Sequence, residues 1–227
     1  MYFNLITLAP GRERQAAHEW AGGPYAEHQW LWRFFPAPEG SPRAFLFRRA
    51  DTDQGPRFYV LSEQPAQPPG SAWQIQTRGY RPMLAAGDKL RFELRANPVV
   101  TITENGKSRR HDVVMQEKKR LLAAKGLSKW KDWEDGTRPP LYELVYQTCG
   151  EWLNKRAGKL GFSVDMESLS VEGYQPQRGK GELLRFTTVD FSGILSVTDS
   201  DAFQKALFQG IGPAKAFGCG LLLIRPV

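Results

Sequence analysis

The sequence predicts an α+β fold built from two successive β-α-β-β-α-β sets of elements, and three observations carry that expectation. The chain opens on a short apolar strand that gives way to helical sequence and then to a hairpin pair of strands. Its second half runs from a long alternating strand through an amphipathic helix to a last helix, a glycine-rich connection and the apolar run Leu221-Leu222-Leu223-Ile224. With 227 residues, 41% hydrophobic and 24% charged, it can form one large or two small domains with real cores, and it is neither disordered nor fibrous.

Phe3 to Ala9 reads as the first strand, ended by Pro10-Gly11. A helical stretch from Arg12 to Ala21 is broken by Gly22-Gly23-Pro24. Pro24 can open a second helix, because a proline in the first turn loses no helical hydrogen bond, and Tyr25 to Phe34 continues it. Tyr25, His28 and Trp32 then share one face. Phe45 to Arg49 and Arg57 to Ser62 form the hairpin, and Pro65 to Pro69 an extended loop. Trp73 to Gln76 fits a short helix or turn, and Tyr80 to Leu84 an edge strand.

A strand restarts over Lys89 to Ile102, and the domain boundary is placed just before it, giving residues 1–86 and 87–227. Glu104 to His111 is a polar turn rich in cations. Met115 to Lys125 suggests a helix, and Trp130 to Glu134 is ambiguous. Leu144, Val145, Cys149, Trp152 and Leu153 recur at helical spacing within a longer helix, Leu141 to Arg156. Gln175 to Gly181 is hairpin-like, and Leu183 to Val197 is a strand with a kink at Ser192-Gly193. The closing helix, Asp201 to Phe208, and the final strand complete the second set. Two such halves make a tandem ferredoxin-like (RRM-like) βαββαβ protein, an arrangement that RNA-recognition folds also use.

Lys plus Arg number 31 against 24 Asp plus Glu, a net charge of +7 that favours acidic partners, nucleic acid foremost. No apolar run approaches the roughly 20 residues of a membrane span, and the N-terminus lacks a signal-peptide pattern, so no membrane partner and a cytoplasmic setting are expected. Cys149 and Cys219 have neither metal-ligand spacing nor the density of a disulfide scaffold, and both read as reduced, buried thiols. No His-x-Glu-x-x-His, paired Cys-x-x-Cys or clustered Asp pair occurs, so the sequence points to no metal and no cofactor.

The string Gly210-Ile211-Gly212-Pro213-Ala214-Lys215-Ala216-Phe217-Gly218-Cys219-Gly220 puts a cation amid glycines that permit close backbone approach, which suits a phosphate backbone. It follows a helix and precedes a strand, the reverse of a Walker loop, and lacks Gly-Lys-Ser/Thr. This order resembles the signature of the RAMP endoribonucleases that process CRISPR transcripts, and the fuller string from Gln209 to Leu221 is similar to their CasE (Cse3) branch, the processing subunit of type I-E Cascade. Leu94-Arg95-Ala96-Asn97-Pro98 is a second string similar to that family, in which it opens the second domain. A third is Tyr25-Ala26-Glu27-His28-Gln29-x-Leu31-Trp32-x-x-Phe35-Pro36. The resemblance implies that His28 is the catalytic histidine and Tyr25 the matching tyrosine. It further implies an enzyme that cuts the stem-loop of CRISPR repeat RNA, stays on the crRNA product and joins other Cascade subunits.

The chemistry fits these residue types. RNA carries its own nucleophile, the ribose 2′-hydroxyl, so cleavage needs a group to take that proton, one to protonate the 5′-oxygen and cations on the phosphorane. His28 serves as general acid or base, Tyr25 as a partner, and Arg33 as the cation. The product would be a 2′,3′-cyclic phosphate. Core packing is the preferred reading of Trp30, Trp32, Phe34 and Phe35. The segment from Gly11 to Gly23 is longer than the family pattern suggests and brings a competing histidine, His18.

RNA binding is assigned to Arg178 and Lys180 in the hairpin tip, to Lys155, Arg156 and Lys159, to Lys107, Arg109 and Arg110, to Arg95, and to the loop through Gly210, Gly212, Lys215, Gly218 and Gly220. A-form stems are read through shape and backbone, which suits scattered cations. The rival readings are a non-catalytic RNA-binding subunit of the same fold and a structural partner with a basic surface.

Overall fold

The computed structural model of the chain describes residues 1–20, 24–178 and 185–227. Its first part comprises β1 (Tyr2–Leu8), α1 (Glu13–Trp20), α2 (Pro24–Trp32), β2 (Phe45–Thr52), β3 (Gly55–Ser62) and β4 (Trp73–Gly79). These strands form one antiparallel sheet in the order β2-β3-β1-β4. Alternation turns Ile6, Phe47, Phe58 and Val60 to the face covered by the helices, where Trp30, Leu31 and Phe34 meet them. Trp30, Phe34 and Phe35 are buried as expected, whereas Trp32 is half-buried.

The expected short helix or turn before the fourth strand is absent: Trp73–Gly79 is itself β4, and Tyr80 to Leu84 lies outside any strand. The cause is local. Pro65, Pro68, Pro69 and Gly70 leave no stretch able to sustain a helix. Asn4, wholly buried in β1, fixes the connection as an extended loop, its Oδ1 accepting from the backbone N–H of Ala66 (3.0 Å) and from Thr77 Oγ1 (2.8 Å).

The remainder comprises β5 (Lys89–Ala96), β6 (Val99–Glu104), β7 (Lys107–Asp112), α3 (Val113–Ala124), α4 (Leu141–Ala157), β8 (Phe162–Val164), β9 (Ser170–Arg178), β10 (Arg185–Val197), α5 (Ser200–Gln209) and β11 (Leu222–Pro226). The strand expected to run unbroken to Ile102 stops at Asn97-Pro98, where proline has no N–H for the ladder. The polar turn expected over Glu104 to His111 is instead a β6–β7 hairpin turning at Asn105-Gly106, both with positive φ (51° and 73°). Trp130–Asp132 forms a single 3₁₀ turn.

The second sheet has the order β11-β5-β10-β8, with β9 also paired to β10. With β9 set aside and the second sheet read from its β8 edge, β8-β10-β5-β11 are the second, third, first and fourth of its strands in chain order, the same order as β2-β3-β1-β4 in the first sheet. The kink expected at Ser192-Gly193 does not interrupt the β5 ladder, which runs through Ser192↔Glu93 and Gly193↔Phe92. There β10 changes neighbour on its other edge, from β9 up to Ser192 to β8 from Leu195. The irregularity lies instead between Thr188 and Asp190.

The two sheets meet through a small apolar cluster of Leu46, Leu61 and Leu221, and Arg48 of β2 reaches Glu93 (3.4 Å) and Asp190 (3.8 Å) of the second sheet. Among the described residues no helix is long and apolar enough to cross a membrane, and no group of three or more His, Cys, Asp or Glu is arranged to hold a metal ion. Cys149 and Cys219 are both buried free thiols, and burial pushes each up to about 12.

Candidate functional site

Helix α2 sets the histidine. Its Trp30 and Leu31 anchor one side in the core, which leaves Tyr25, His28 and Trp32 on the other. Trp32 Nε1 donates to His28 Nε2 at 3.2 Å. An indole nitrogen only donates, so Nε2 is an acceptor and the neutral ring carries its proton on Nδ1, which is buried without a partner among the described residues. Burial, and then the charge of Arg43, lower the His28 pKa from its ordinary 6.5. Tyr25 is exposed, and its hydroxyl accepts from Gln29 Nε2 at 3.3 Å. His18 is exposed on α1.

The imidazole also faces Phe217, with ring centroids 6.4 Å apart, and Phe217 stacks on Phe186 of β10 at 5.1 Å and 25°. The N-terminal helix therefore touches the C-terminal glycine-rich segment, two residues from Lys215. Lys215 and Arg43 line common cavities, and burial followed by the charge of Arg43 lowers the Lys215 pKa. Arg33 goes elsewhere: it lies beyond the end of α2 and its Nη1 approaches Glu19 Oε2 of α1 at 3.9 Å. Arg43, in the Pro- and Gly-rich segment before β2, is thus the arginine whose charge bears on His28. Sequence reading missed it because that segment has no periodicity to orient a side chain.

The glycines of the loop serve the protein's own packing. Gly210, Gly212, Gly218 and Gly220 all have positive φ (74°, 79°, 77° and 92°). A Cβ added to Gly212 would meet the Trp152 ring at 3.2 Å, and one at Gly218 the Phe47 ring at 3.2 Å. Their side-chain directions are filled by this chain, so close approach to protein atoms already accounts for them. Ile211 N donates to Gly220 O (2.9 Å) and Gly220 N to Arg95 O (2.7 Å), which ties both ends of the loop to β5.

Around this loop the structure gathers part of the cation set. Arg110, Arg156 and Lys215 line a groove with Arg43, Gly212 and Phe217. Arg110 and Arg178 line its continuation with Arg185, Phe186 and Phe217. Asp112 is the one carboxylate among the described residues lining the two. Arg156 is held there: its guanidinium lies 4.2 Å from the Trp152 ring centroid and donates to the carbonyls of Trp152 and Val99, each at 3.2 Å. Alternation on β7 separates Lys107 and Arg109 from Arg110, and neither lines this groove. Lys155 pairs with Glu151 at 2.9 Å on the exposed side of α4, and Lys159 is exposed beyond the helix end. Lys180 lies outside the described residues.

Arg95 is already engaged. It grips Asp190 with two bonds, Nε to Oδ1 at 2.9 Å and Nη2 to Oδ2 at 2.8 Å, and the hydrogen bond to that carboxylate raises its pKa. The pair forms a wall of a separate polar cavity with Glu27, Arg49 and the β9–β10 ribbon.

Fold and site together define a two-sheet α+β protein with a half-buried histidine at the edge of a basic groove. A family model described as "CRISPR associated protein" matches residues 1–226, and the chain belongs to that family. It is 33% identical over 213 residues to the CRISPR system Cascade subunit CasE of Escherichia coli, covering 93% of this chain and 96% of that one. It is 30% identical over 199 residues to the CRISPR-associated endoribonuclease Cse3 of Thermus thermophilus, covering 86% and 79%. Among solved structures, Cas6e of E. coli matches at a TM-score of 0.62 and 25% identity over 100% of both chains. Cse3 bound to a 19-nucleotide RNA matches in fold at 0.69 and 23%, over 99% of this chain and 98% of that one.

Proposed function

We propose that this chain is a metal-independent endoribonuclease of the cytoplasm that binds the stem-loop of CRISPR repeat RNA, cuts it by 2′-hydroxyl attack to leave a 2′,3′-cyclic phosphate, and remains on the crRNA as a Cascade subunit. In this reading, residues 1–86 and 87–227 are two ferredoxin-like domains, the first without its second helix. The matching strand order of the two sheets supports that division. Membership of the family, with relatives named as a Cascade subunit and an endoribonuclease, supports the activity.

The observation that carries the reading is the contact between His28 and Phe217, which brings the histidine of α2 to the loop of Lys215. His28 is the general base or acid. With its pKa lowered, the ring is neutral near pH 7, and Nε2, held as an acceptor by Trp32, offers its lone pair to a 2′-hydroxyl that takes the place of the indole N–H. Arg43 and Lys215 are the cations for the phosphorane, the part that sequence reading assigned to Arg33. Tyr25, one turn before His28 with its side chain exposed, is the partner of that histidine.

The test is a labelled repeat hairpin incubated with excess chelator, alongside the same RNA carrying a 2′-deoxy residue at the cut. Cleavage that survives chelation, disappears with the deoxy substrate, falls about 10²- to 10⁴-fold in His28→Ala and persists in His18→Ala is expected. Tight binding without cleavage would instead identify a non-catalytic RNA-binding subunit.

A further inference from the structure

Beside the cationic groove, and sharing Gln177, Phe186 and Phe217 with it as walls, lies the second cavity, of different chemistry. It is a partly open hollow between Glu27 of α2 and the β9–β10 ribbon. Period-two alternation puts Gln175 and Gln177 of β9 on the same ribbon face as Phe186 and Thr188 of β10, because the ladder pairs Gln177 with Phe186 and Gln175 with Thr188. Arg178 and Arg185, paired at the next rung, point with Thr187 into the cationic groove instead. One two-stranded ribbon thus gives its cations to the groove and Gln175 and Thr188 to the cavity, with Gln177 at the rim between the two.

The charges sort likewise. In the cavity each arginine is matched by an acid: Arg95 by Asp190 at 2.8 Å, and Arg49 by Glu27 at 3.4 Å and Asp51 at 2.7 Å. A phosphate finds no uncommitted cation there, whereas Arg43, Arg110 and Lys215 line the groove with no acid paired to them among the described residues. What the cavity offers is hydrogen bonding without net charge, next to an aromatic rim: the Gln175 and Gln177 amides, the Glu27 carboxyl, and the Thr188 hydroxyl, which accepts from Gln177 Nε2 at 3.3 Å and donates to Gln175 O at 3.4 Å until a ligand takes their place. Its volume, about 240 Å³, is several times the share of one water molecule, about 30 Å³, and below the 300 Å³ or so at which drug-sized pockets begin. A single planar heterocycle suits that size and chemistry.

We infer that this cavity receives one nucleobase of the bound RNA, unstacked from a nucleotide flanking the scissile phosphate and read by Gln177, Thr188 and Glu27 while it rests against Phe186 and Phe217. The inference builds on the RNA-cleaving reading above. Phe217 supplies the geometry: it faces His28 and also walls the cavity, so a nucleotide whose phosphate lies at the histidine has its base beside the opening. An amide donates and accepts at once and therefore distinguishes base edges, while an aromatic wall holds any base. Burial raises the Glu27 carboxyl above its ordinary range despite the attraction of Arg49, which brings a protonated, donating form within easier reach.

The deciding experiment measures equilibrium binding of repeat hairpins that carry a 2′-deoxy residue at the cut, so that cleavage plays no part. At each of the two flanking nucleotides the base is set to A, C, G, U or abasic. At one of them the abasic RNA is expected to bind roughly tenfold or more weakly, with the four bases ranked unequally. Gln177→Leu should flatten that ranking while leaving affinity for the abasic RNA at the wild-type value. Abasic RNAs that bind like intact ones at both positions overturn the inference without touching the RNA-binding reading, and the wild-type protein alone decides this arm. An equal loss for every RNA in Gln177→Leu also overturns it. Failure to bind any hairpin removes the underlying reading as well.

Discussion

His28 of the second helix and Phe217 of the C-terminal glycine-rich segment lie with ring centroids 6.4 Å apart, and Phe217 in turn stacks on Phe186 at 5.1 Å. Through that one phenylalanine the two sheets, the basic groove and the polar cavity share an edge. Truncation to Phe217→Ala removes the ring that fixes the imidazole relative to the groove. Because small misplacements of a reacting group can cost on the order of 10² in rate, the single-turnover cleavage rate should fall by about that factor, and hairpin affinity by less, roughly tenfold, since Phe186 remains as the other aromatic wall of the base cavity. Rapid-quench cleavage beside a binding titration separates the two. Equal losses in both would make Phe217 a binding residue only.

The pH dependence follows from the environment of His28. Burial and the charge of Arg43 both disfavour the imidazolium, so the neutral ring persists to lower pH than the ordinary 6.5 allows. If the neutral ring takes the 2′-hydroxyl proton, the rate rises with pH along a limb whose midpoint lies below 6.5 and is flat above it. Arg43→Gln removes the second cause and should move that midpoint upward, toward but not beyond the ordinary value, since burial remains. Carbon-13 or nitrogen-15 resonances of His28 report the same shift without RNA. A rate that falls through this range would assign His28 the acid's part.

How much of this was legible beforehand is clearest in particular stretches. Helix α2 could be placed because Pro24 marks its first turn and its aromatics repeat at helical spacing. The fourth strand is hard to read because the alternation of Trp73-Gln74-Ile75-Gln76 stops after four residues at Thr77-Arg78-Gly79, and pairing with β1 is what carries the strand on to Gly79. The β6–β7 hairpin had a usable signal in Asn105-Gly106 that the surrounding charge obscured. In the site, the histidine was readable from its own motif, whereas the Arg43 and Phe217 that face it belong to segments brought there by tertiary packing. Clusters of cations along the chain did not translate into clusters in space, since strand alternation splits Arg109 from Arg110 and helical turn splits Lys155 from Arg156.

The loop glycines separate a packing role from an RNA-binding one. At Gly220, φ is 92° and an added Cβ would lie 3.0 Å from the carbonyl oxygen of Ile211, a backbone atom that cannot swing aside. Gly220→Ala should therefore destabilise the fold by about 1–3 kcal/mol, seen as a lower thermal midpoint, while the folded fraction binds hairpin RNA as before. Unchanged stability with weakened RNA binding would return the glycine to the phosphate backbone.

Salt dependence tests which cations meet phosphates. Each phosphate contact contributes roughly 0.7–0.9 to the slope of log affinity against log salt concentration, so Arg110→Ala, which empties one position in the groove, should lower the slope by close to that amount. Lys155→Ala provides the contrast: its ammonium is paired with Glu151 at 2.9 Å on the solvent face of α4, away from the groove, and the slope should not move. Two lysine or arginine losses of equal formal charge are compared, so a general effect of net charge would change both slopes alike. If instead Lys155→Ala lowers the slope and Arg110→Ala leaves it unchanged, the RNA follows the outer face of α4, and the groove beside Phe217 is not its path.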